Sequence, residues 1–255
     1  MSQPSLLLLL FLFSACEQHN YQINDCFPAN KKFSSKAEAI KEIPVPDGYE
    51  RIISQPDSFG EWLRSVELKT DGLVYLYNGK LKANQTNHYA VLNIPVGNKD
   101  LQQCADAVMR LRAEYLFDEK RYDDIVFKDN NNKSYTWTGK NNRNSFEQYL
   151  ETVFTYCNTA SLQRQLKPVI YQNIQPGNVF IKGGFPGHAM IVVDVAMNKP
   201  GKKIFMLAQS YMPAQSIHIV RNPMCETLSP WYEVNEDEPI ITPGWKFYHN
   251  QLYQF

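Results

Sequence analysis

Cys104 and His188 are of residue types that serve in nucleophilic catalysis, and each lies at the start of a predicted element, where its side chain would be exposed. Cys104 falls in the first turn of a predicted helix, where the helix dipole and free N–H groups lower the pKa of a thiol. His188 opens an apolar segment directly after Pro186-Gly187, a tight entry that leaves its imidazole at the mouth of a predicted strand. A thiol and an imidazole of this kind have the chemistry of a nucleophile and its general base.

A third side chain must hold the imidazole in orientation. Asp194 is predicted on the same strand face as His188, but six residues at about 3.3 Å each separate the two by roughly 20 Å, which excludes direct contact. If the Asn-Lys-Pro-Gly segment that follows this strand forms a hairpin turn, the register carries the next strand back to His188. We therefore predict that the Gln209 amide accepts from the imidazole, with Ser210 or Tyr211 in its place if the register shifts by one.

Cys104 and His188 could each have a structural role instead. Cys104 also lies on the apolar stripe of its predicted helix, where a cysteine most often packs as a small hydrophobic side chain. His188 could equally bind a backbone carbonyl at the strand end. Four cysteines follow Cys16, an even number that would allow two disulfides in an exported protein: Cys26, Cys104, Cys157 and Cys225.

A cleft around this pair would bind substrate through aromatic side chains and one further histidine. The residues predicted to line it are Trp137, Tyr211, Trp231 and His88. His218 alternates with two isoleucines and is predicted to face solvent. No residues have metal-ligand spacing and no glycine-rich phosphate loop is present, so neither a metal site nor a cofactor is predicted.

Hydrophobic periodicity predicts the elements that position these residues. Helices are expected over 58–63, from a capping box at Asp100 and Gln103 to about residue 115, and over 145–157. Strands are expected over 72–77, 89–94, 135–138, 179–182, 188–195, 204–210 and 217–221. Because helices come first and an antiparallel series of strands follows, the predicted class is α+β.

The Gln-Pro-Gly-Asn run that ends at Asn178, together with Pro186-Gly187-His188, resembles the NlpC-type cell-wall peptidases and their amidase relatives, which are papain-like cysteine hydrolases. The resemblance implies helices packed on an antiparallel sheet, with His188 as the catalytic base. It also implies a nucleophilic cysteine earlier in the chain, a position that Cys104 satisfies. Two positions depart from the family pattern. Asn178 stands where the family has Asp, and Gln103-Cys104-Ala105-Asp106 stands where it has Asp-Cys-Ser-Gly.

A second resemblance covers nearly the whole chain. The segments 101–112 and 207–215 resemble those of an uncharacterised family of bacterial lipoproteins. That resemblance implies an exported, lipid-anchored protein and brings no particular activity with it.

The N-terminal segment is typical of an export signal. Residues 6–13 form an unbroken run of apolar side chains, against roughly 20 that a helix needs to span a bilayer. The small residues before Cys16 resemble a lipobox, which implies that residues 1–15 are removed and that Cys16 is acylated. The alternatives are an ordinary cleaved signal with an incidental cysteine, and an apolar tail on a protein that is not exported.

These patterns divide the chain into a signal peptide (1–15), a polar tether (16–40) and a single α+β domain (41–255). The 26 basic and 26 acidic side chains balance to a net charge of zero, which predicts no nucleic-acid partner. The predicted protein is a lipoprotein of the bacterial cell envelope, on the periplasmic or surface face of the outer membrane. It would act as a cysteine peptidase or amidase, with cell-wall peptide as a candidate substrate. The alternatives are a non-catalytic lipoprotein of the same fold that binds peptide or glycan, and a purely structural envelope lipoprotein.

Overall fold

The computed structural model describes residues 37–255. Four α-helices lie in this part of the chain: α1 (Phe59–Ser65), α2 (Cys104–Asp118), α3 (Arg143–Tyr156) and α4 (Thr159–Gln165). The β-strands are β1 (Tyr49–Arg51), β2 (His88–Val91), β3 (Val126–Lys128), β4 (Ser134–Thr136), β5 (Lys167–Pro168), β6 (Val179–Lys182), β7 (His188–Asn198), β8 (Lys203–Gln209), β9 (His218–Val220), β10 (Trp231–Glu233), β11 (Ile240–Thr242), β12 (Trp245–Phe247) and β13 (Leu252–Gln254).

Nine of the strands form one antiparallel sheet. Its order is β2-β9-β8-β7-β6-β13-β5, while β1 pairs with β7 and β10 pairs with β8. The hairpins β3–β4 and β11–β12 stand apart from this sheet. The predicted mixture of helices with a large antiparallel sheet is therefore confirmed.

Strand β7 lies near the centre of the sheet, and each of its faces is buried in a separate core. Helices α1 and α2 pack against β7, over the face that carries Ala189 and Ile191. Met190 and Val192 belong to a second core on the opposite face, which also contains Phe247 of the β11–β12 hairpin. Because both faces are covered, β7 is an almost continuous apolar run rather than an alternating one.

A bulge in β7 separates Asp194 from the face of His188. The pairing of β7 with β8 shifts between Val192 and Asp194, and one extra residue reverses the alternation of side chains. The prediction that Asp194 shares a face with His188 is therefore wrong. The Asp194 carboxylate is fully buried on the helix side, where Oδ2 lies 2.6 Å from Arg51 Nε and Oδ1 lies 2.7 Å from Arg64 Nε.

Helix α2 begins at Cys104. Its N-cap is Gln103, whose backbone N–H donates to Asp106 Oδ2 at 3.0 Å. The Asp100 side chain, predicted as the cap, instead accepts the backbone N–H of Ala214 at 2.6 Å. The helix therefore starts later than predicted, and Cys104 is its first residue.

Most of the predicted elements are present, β6 with the predicted ends and the others with different ends. The predicted helices correspond to α1, α2 and α3, and six predicted strands correspond to β2, β4, β6, β7, β8 and β9. The segment 72–77 is the exception. It makes isolated bridges to Leu81 and Gln215 rather than a strand, because Gly72 and Gly79 turn the chain at φ values of +59° and +78°.

Two of the described cysteines are free thiols, Cys104 and Cys157. Cys225 is disulfide-bonded. A disulfide through Cys104 is therefore excluded. Ile40 is buried in the core, while Cys16 and the predicted signal peptide lie outside the described residues.

The longest of the described helices, α2, has 15 residues. None of the helices within residues 37–255 is both long enough and apolar enough to cross a membrane. The same residues contain no cluster of three or more His, Cys, Asp or Glu side chains that could hold a metal ion.

Candidate active site

The first residue of α2 and the first residue of β7 meet at one cavity. Its volume is about 420 Å³, within the range of ligand sites in proteins. Its lining includes Cys104, Asp106, His188, Tyr211 and Trp245, and we call it the Cys104–His188 cavity. The structure thus brings the two predicted catalytic side chains to one opening, while their catalytic role stays a prediction.

Gln209 holds the His188 ring. His188 Nε2 lies 2.7 Å from Gln209 Oε1, and both side chains are buried. Gln209 is the last residue of β8, so the β7–β8 hairpin delivers it to His188 and the predicted contact is confirmed. Of the two alternatives, Tyr211 packs its ring on His188 at 5.1 Å between centroids, and Ser210 bonds to backbone groups instead.

Glycine is required directly before His188. A Cβ atom at Gly187 would lie 2.3 Å from the carbonyl oxygen of Gly184 and 2.6 Å from Thr159 Oγ1. These distances are far below van der Waals contact, so no other residue fits without moving the backbone. The close passage of the chain past α4 fixes the point at which β7 begins, and with it the position of His188.

Hydrogen bonds of Ser210 hold the segment before α2 against the end of β8. Ser210 Oγ lies 2.8 Å from the carbonyl oxygens of both Gln102 and Gln215, and it accepts the backbone N–H of Gln215 at 3.3 Å. These bonds fix the start of α2 relative to the strand end that carries Gln209. Cys104 and the His188–Gln209 pair are therefore held in one rigid arrangement.

Burial sets the protonation states of the pair. It raises the pKa of the Cys104 thiol, and hydrogen bonding from the Ala189 backbone opposes this only in part. The predicted lowering of the thiol pKa by the helix N-terminus is therefore wrong, because desolvation outweighs it. Burial also lowers the pKa of His188 to about 4, although the bond with Gln209 acts in the opposite direction. Near pH 7 the site holds a thiol and a neutral imidazole, which can accept a proton.

An aromatic wall surrounds the His188 ring. The ring centroids of Tyr211, Trp245 and Phe247 lie 5.1, 5.2 and 6.0 Å from that of His188. Tyr211 lines the cavity as predicted, and Trp245 lines it without having been predicted. The available signal was the Thr-Pro-Gly turn before Trp245, which closes the β11–β12 hairpin.

Three residues predicted to line the cavity lie elsewhere. Trp137 packs among aromatic side chains of α2 and α3. Trp231 is buried, and its Nε1 donates to the carbonyl oxygen of Pro44 at 2.9 Å. His88 is buried, with Nε2 2.7 Å from the carbonyl oxygen of Gly72. Each of the three rings is buried in the interior of the fold, so none of them contacts the cavity.

His218 is fully buried, which contradicts the prediction that it faces solvent. It opens β9, which lies inside the sheet between β2 and β8. His218 Nε2 lies 3.4 Å from Gln209 Nε2, and His218 Nδ1 lies 2.9 Å from the carbonyl oxygen of Ser216. Burial lowers the pKa of His218 to about 3, so the ring is neutral near pH 7.

The cavity has an apolar mouth and no basic lining. Phe185 and Met212 line it with 96% and 65% of their surface exposed. No Lys or Arg of the described chain lines it, whereas Asp100 does. Asp106 is buried with Oδ1 unpaired among the described residues, and burial raises the pKa of this carboxyl well above its usual range.

The chain matches a protein family of unknown function. A family model described as Domain of unknown function (4846) matches residues 40–142 and 128–254. Together these segments extend over most of the 255-residue chain. No curated protein and no solved structure matches the chain.

Proposed function

The chain belongs to the Domain of unknown function (4846) family, and we propose that it is a papain-like cysteine hydrolase that acts on peptide or amide bonds. The observation that carries this proposal is the 2.7 Å contact between His188 Nε2 and Gln209 Oε1 at a cavity that Cys104 also lines. A thiol at a helix start, an imidazole and an amide behind it are the groups that such catalysis needs.

In the proposed reaction, His188 takes the proton of the Cys104 thiol while the sulfur attacks the substrate carbonyl carbon. The C–N bond breaks, the amine leaves with the proton that His188 returns, and a thioester remains on Cys104. Water then attacks the thioester with His188 as base, which releases the acid and restores the free thiol. The N–H groups in the first turn of α2 have no acceptor within the helix, and they would stabilise the negative oxygen of the tetrahedral intermediate.

The cavity favours neutral or cationic substrates. A carboxylate beside the scissile bond would meet no Lys or Arg in the lining and would lie near Asp100, where like charges repel. Apolar side chains could instead contact Phe185 and Met212 at the mouth. Among peptides of the cell envelope, bonds flanked by apolar or amino-bearing residues are therefore the preferred candidates.

We expect the full-length protein to cleave peptides with Leu or Lys beside the scissile bond about tenfold faster than matched peptides with Glu. The measurement is kcat/KM by chromatography of the products. Cys104→Ala protein serves as the blank for contaminating peptidases. Cys157→Ala is the matched control, because Cys157 is also a free thiol and also lines the cavity, but it is buried and burial raises its pKa to about 12. Equal cleavage by Cys104→Ala, or no cleavage of any peptide or amide, would overturn the proposal.

We also propose that the protein is an exported lipoprotein, anchored to the cell envelope through acylated Cys16 on the periplasmic or surface face of the outer membrane. The apolar run and the small residues before Cys16 support export and acylation. The disulfide at Cys225 supports an oxidising compartment. Two or more acyl chains on one cysteine are enough for stable anchoring without a membrane-spanning helix.

Acylation can be tested by detergent-phase partition of the chain expressed in bacteria with its first 15 residues intact. We expect wild type to enter the detergent phase and Cys16→Ala to remain in the aqueous phase, because the acyl chains supply the membrane affinity. Cys157→Ala should partition as wild type does. Aqueous partition of wild type would show that Cys16 carries no lipid.

A second candidate function is that of a non-catalytic envelope lipoprotein that binds peptide or glycan in the same cavity. The raised pKa of Cys104 favours it, since a thiol that stays protonated is a weak nucleophile. The aromatic faces of Tyr211 and Trp245 would suit a stacked ligand. This function predicts saturable binding without product release, and binding that Cys104→Ala leaves unchanged.

A further inference from the structure

Two imidazoles and one amide form a continuous buried row behind the Cys104–His188 cavity. His188 Nε2 lies 2.7 Å from Gln209 Oε1, and Gln209 Nε2 lies 3.4 Å from His218 Nε2. The row ends where His218 Nδ1 lies 2.9 Å from the carbonyl oxygen of Ser216. All three side chains of the row are buried, so water does not compete for their hydrogen bonds.

The far end of the row fixes the position of every proton in it. The Ser216 carbonyl oxygen can only accept, so His218 Nδ1 carries the hydrogen. A neutral imidazole has one donor and one acceptor, which leaves His218 Nε2 as an acceptor. The Gln209 atom facing it must therefore be the NH₂ group, and Gln209 Oε1 must face His188. His188 then carries its hydrogen on Nε2, and Nδ1 is left free to accept a proton.

We propose that His218 is a positioning residue for the Cys104–His188 pair, because it fixes the orientation of the Gln209 amide and through it the tautomer of His188. The inference rests on the proposed function for its role in catalysis. Without the acceptor at His218, the Gln209 amide can rotate by half a turn. Its NH₂ group would then face His188, whose Nε2 would have to accept, and the proton would move to Nδ1. His188 in that tautomer cannot take the Cys104 proton at Nδ1.

The charge state of His218 suits this role. Burial lowers its pKa to about 3, and the positive charge of Lys82 and the neighbouring rings of His88 and His188 act in the same direction, against a backbone hydrogen bond to Ser216 that raises it. A protonated His218 would donate from both nitrogens and could not accept from Gln209. The ring therefore remains an acceptor over the whole range in which a hydrolase of this kind works.

His88 provides a matched control. Its ring lies edge-on to that of His218, 5.9 Å between centroids. His88 Nε2 is bound to the carbonyl oxygen of Gly72 rather than to Gln209. Replacing His88 therefore disturbs the packing around the row but leaves its hydrogen bonds in place.

The test is the tautomer of His188, measured by two-bond ¹H–¹⁵N NMR spectra of full-length protein labelled at histidine. We expect the Nε2–H tautomer of His188 and the Nδ1–H tautomer of His218 in wild type and in His88→Phe. We expect His218→Phe to lose the single Nε2–H tautomer of His188. His218→Gln, whose side-chain oxygen can accept from Gln209, should restore it.

Reactivity of Cys104 provides the second readout. At pH 6 we expect His218→Phe to slow alkylation of Cys104 by iodoacetamide about tenfold, and we expect His218→Gln and His88→Phe to stay within about threefold of wild type. If His218→Phe fails to fold, the wild-type tautomers still decide the inference. A hydrogen on His188 Nδ1 in wild type, or an unchanged tautomer and alkylation rate in folded His218→Phe, would overturn it.

The two proposals fail in different ways. If the tautomers and alkylation rates respond as expected but no peptide or amide is cleaved, the role of His218 stands and the hydrolase function falls. If peptides are cleaved and His218→Phe cleaves them at the wild-type rate with the wild-type tautomer, the role of His218 falls and the hydrolase function stands.

Discussion

Replacing His188 with alanine is expected to lower kcat/KM for peptide or amide hydrolysis by about 10²- to 10⁴-fold. In the proposed reaction the imidazole takes the thiol proton and returns it to the leaving amine, and Gln209 cannot replace it because a neutral amide has no titratable nitrogen. The measurement uses the same peptides as for wild type, with the folded state checked by thermal unfolding. His249→Ala is the matched control, since His249 is exposed in the turn between β12 and β13.

His188 is also expected to determine how kcat/KM falls at low pH. Burial lowers the pKa of His188 to about 4, so the ring is neutral and able to act as a base at all pH values above that. We expect kcat/KM to hold as the pH falls to about 5 and to drop only near pH 4. A drop centred near 6.5, the ordinary pKa of histidine, would contradict the burial of this ring.

Replacing Asp194 with alanine is expected to lower the free energy of unfolding by about 3–5 kcal/mol. The Asp194 carboxylate is fully buried between Arg51 and Arg64, at 2.6 and 2.7 Å. Its loss removes the ion-pair partner of Arg51 and leaves Arg64 with only the partly exposed Glu61. Urea unfolding gives the free energy directly. Glu61→Ala is the matched control, because Glu61 also pairs with Arg64 at 2.7 Å but its side chain is 42% exposed.

The control should cost less than about 1 kcal/mol, since water replaces an exposed partner. Asp194→Ala and Glu61→Ala with equal small effects would contradict the view that the Arg51–Asp194–Arg64 cluster holds α1 and β1 against β7. Because Asp194 lies on the opposite face of β7 from His188, alkylation of Cys104 should be unchanged while Asp194→Ala remains folded.

The positions of Cys104, His188 and Gln209, the proposed catalytic trio, were predictable because they depend on local geometry. His188 and Gln209 lie on the two strands of one hairpin, and the position of a hairpin turn sets which residues face each other. Cys104 could be placed at a helix start from the helical spacing that follows it. The cap itself was misassigned, because the side chain of Asp100 bonds to Ala214 of a distant loop, a contact that sequence spacing does not reveal.

The surroundings of the trio were less predictable because they depend on distant packing. Trp137 and Trp231 have the same residue type as Trp245, yet of these three only Trp245 reaches the cavity, since the β11–β12 hairpin lies beside the start of β7. No pattern in the sequence predicts the single bulge that turns Asp194 toward Arg64. The burial of His218 follows from the strand order of the sheet, which the alternation within one strand cannot specify.

The central claim is that Cys104 is a nucleophile served by His188, and trapping of the acyl-enzyme tests it most directly. The folded protein would be treated at pH 5 to 6 with the p-nitrophenyl ester of an N-acetylated neutral amino acid, followed by intact-mass analysis and peptide mapping. We predict a thioester on Cys104 that hydroxylamine removes, that is retained in Cys157→Ala, absent in Cys104→Ala and formed at least about 100-fold more slowly in His188→Ala. An acyl group on Cys157, no acyl group at all, or equal acylation rates in wild type and His188→Ala would contradict the claim.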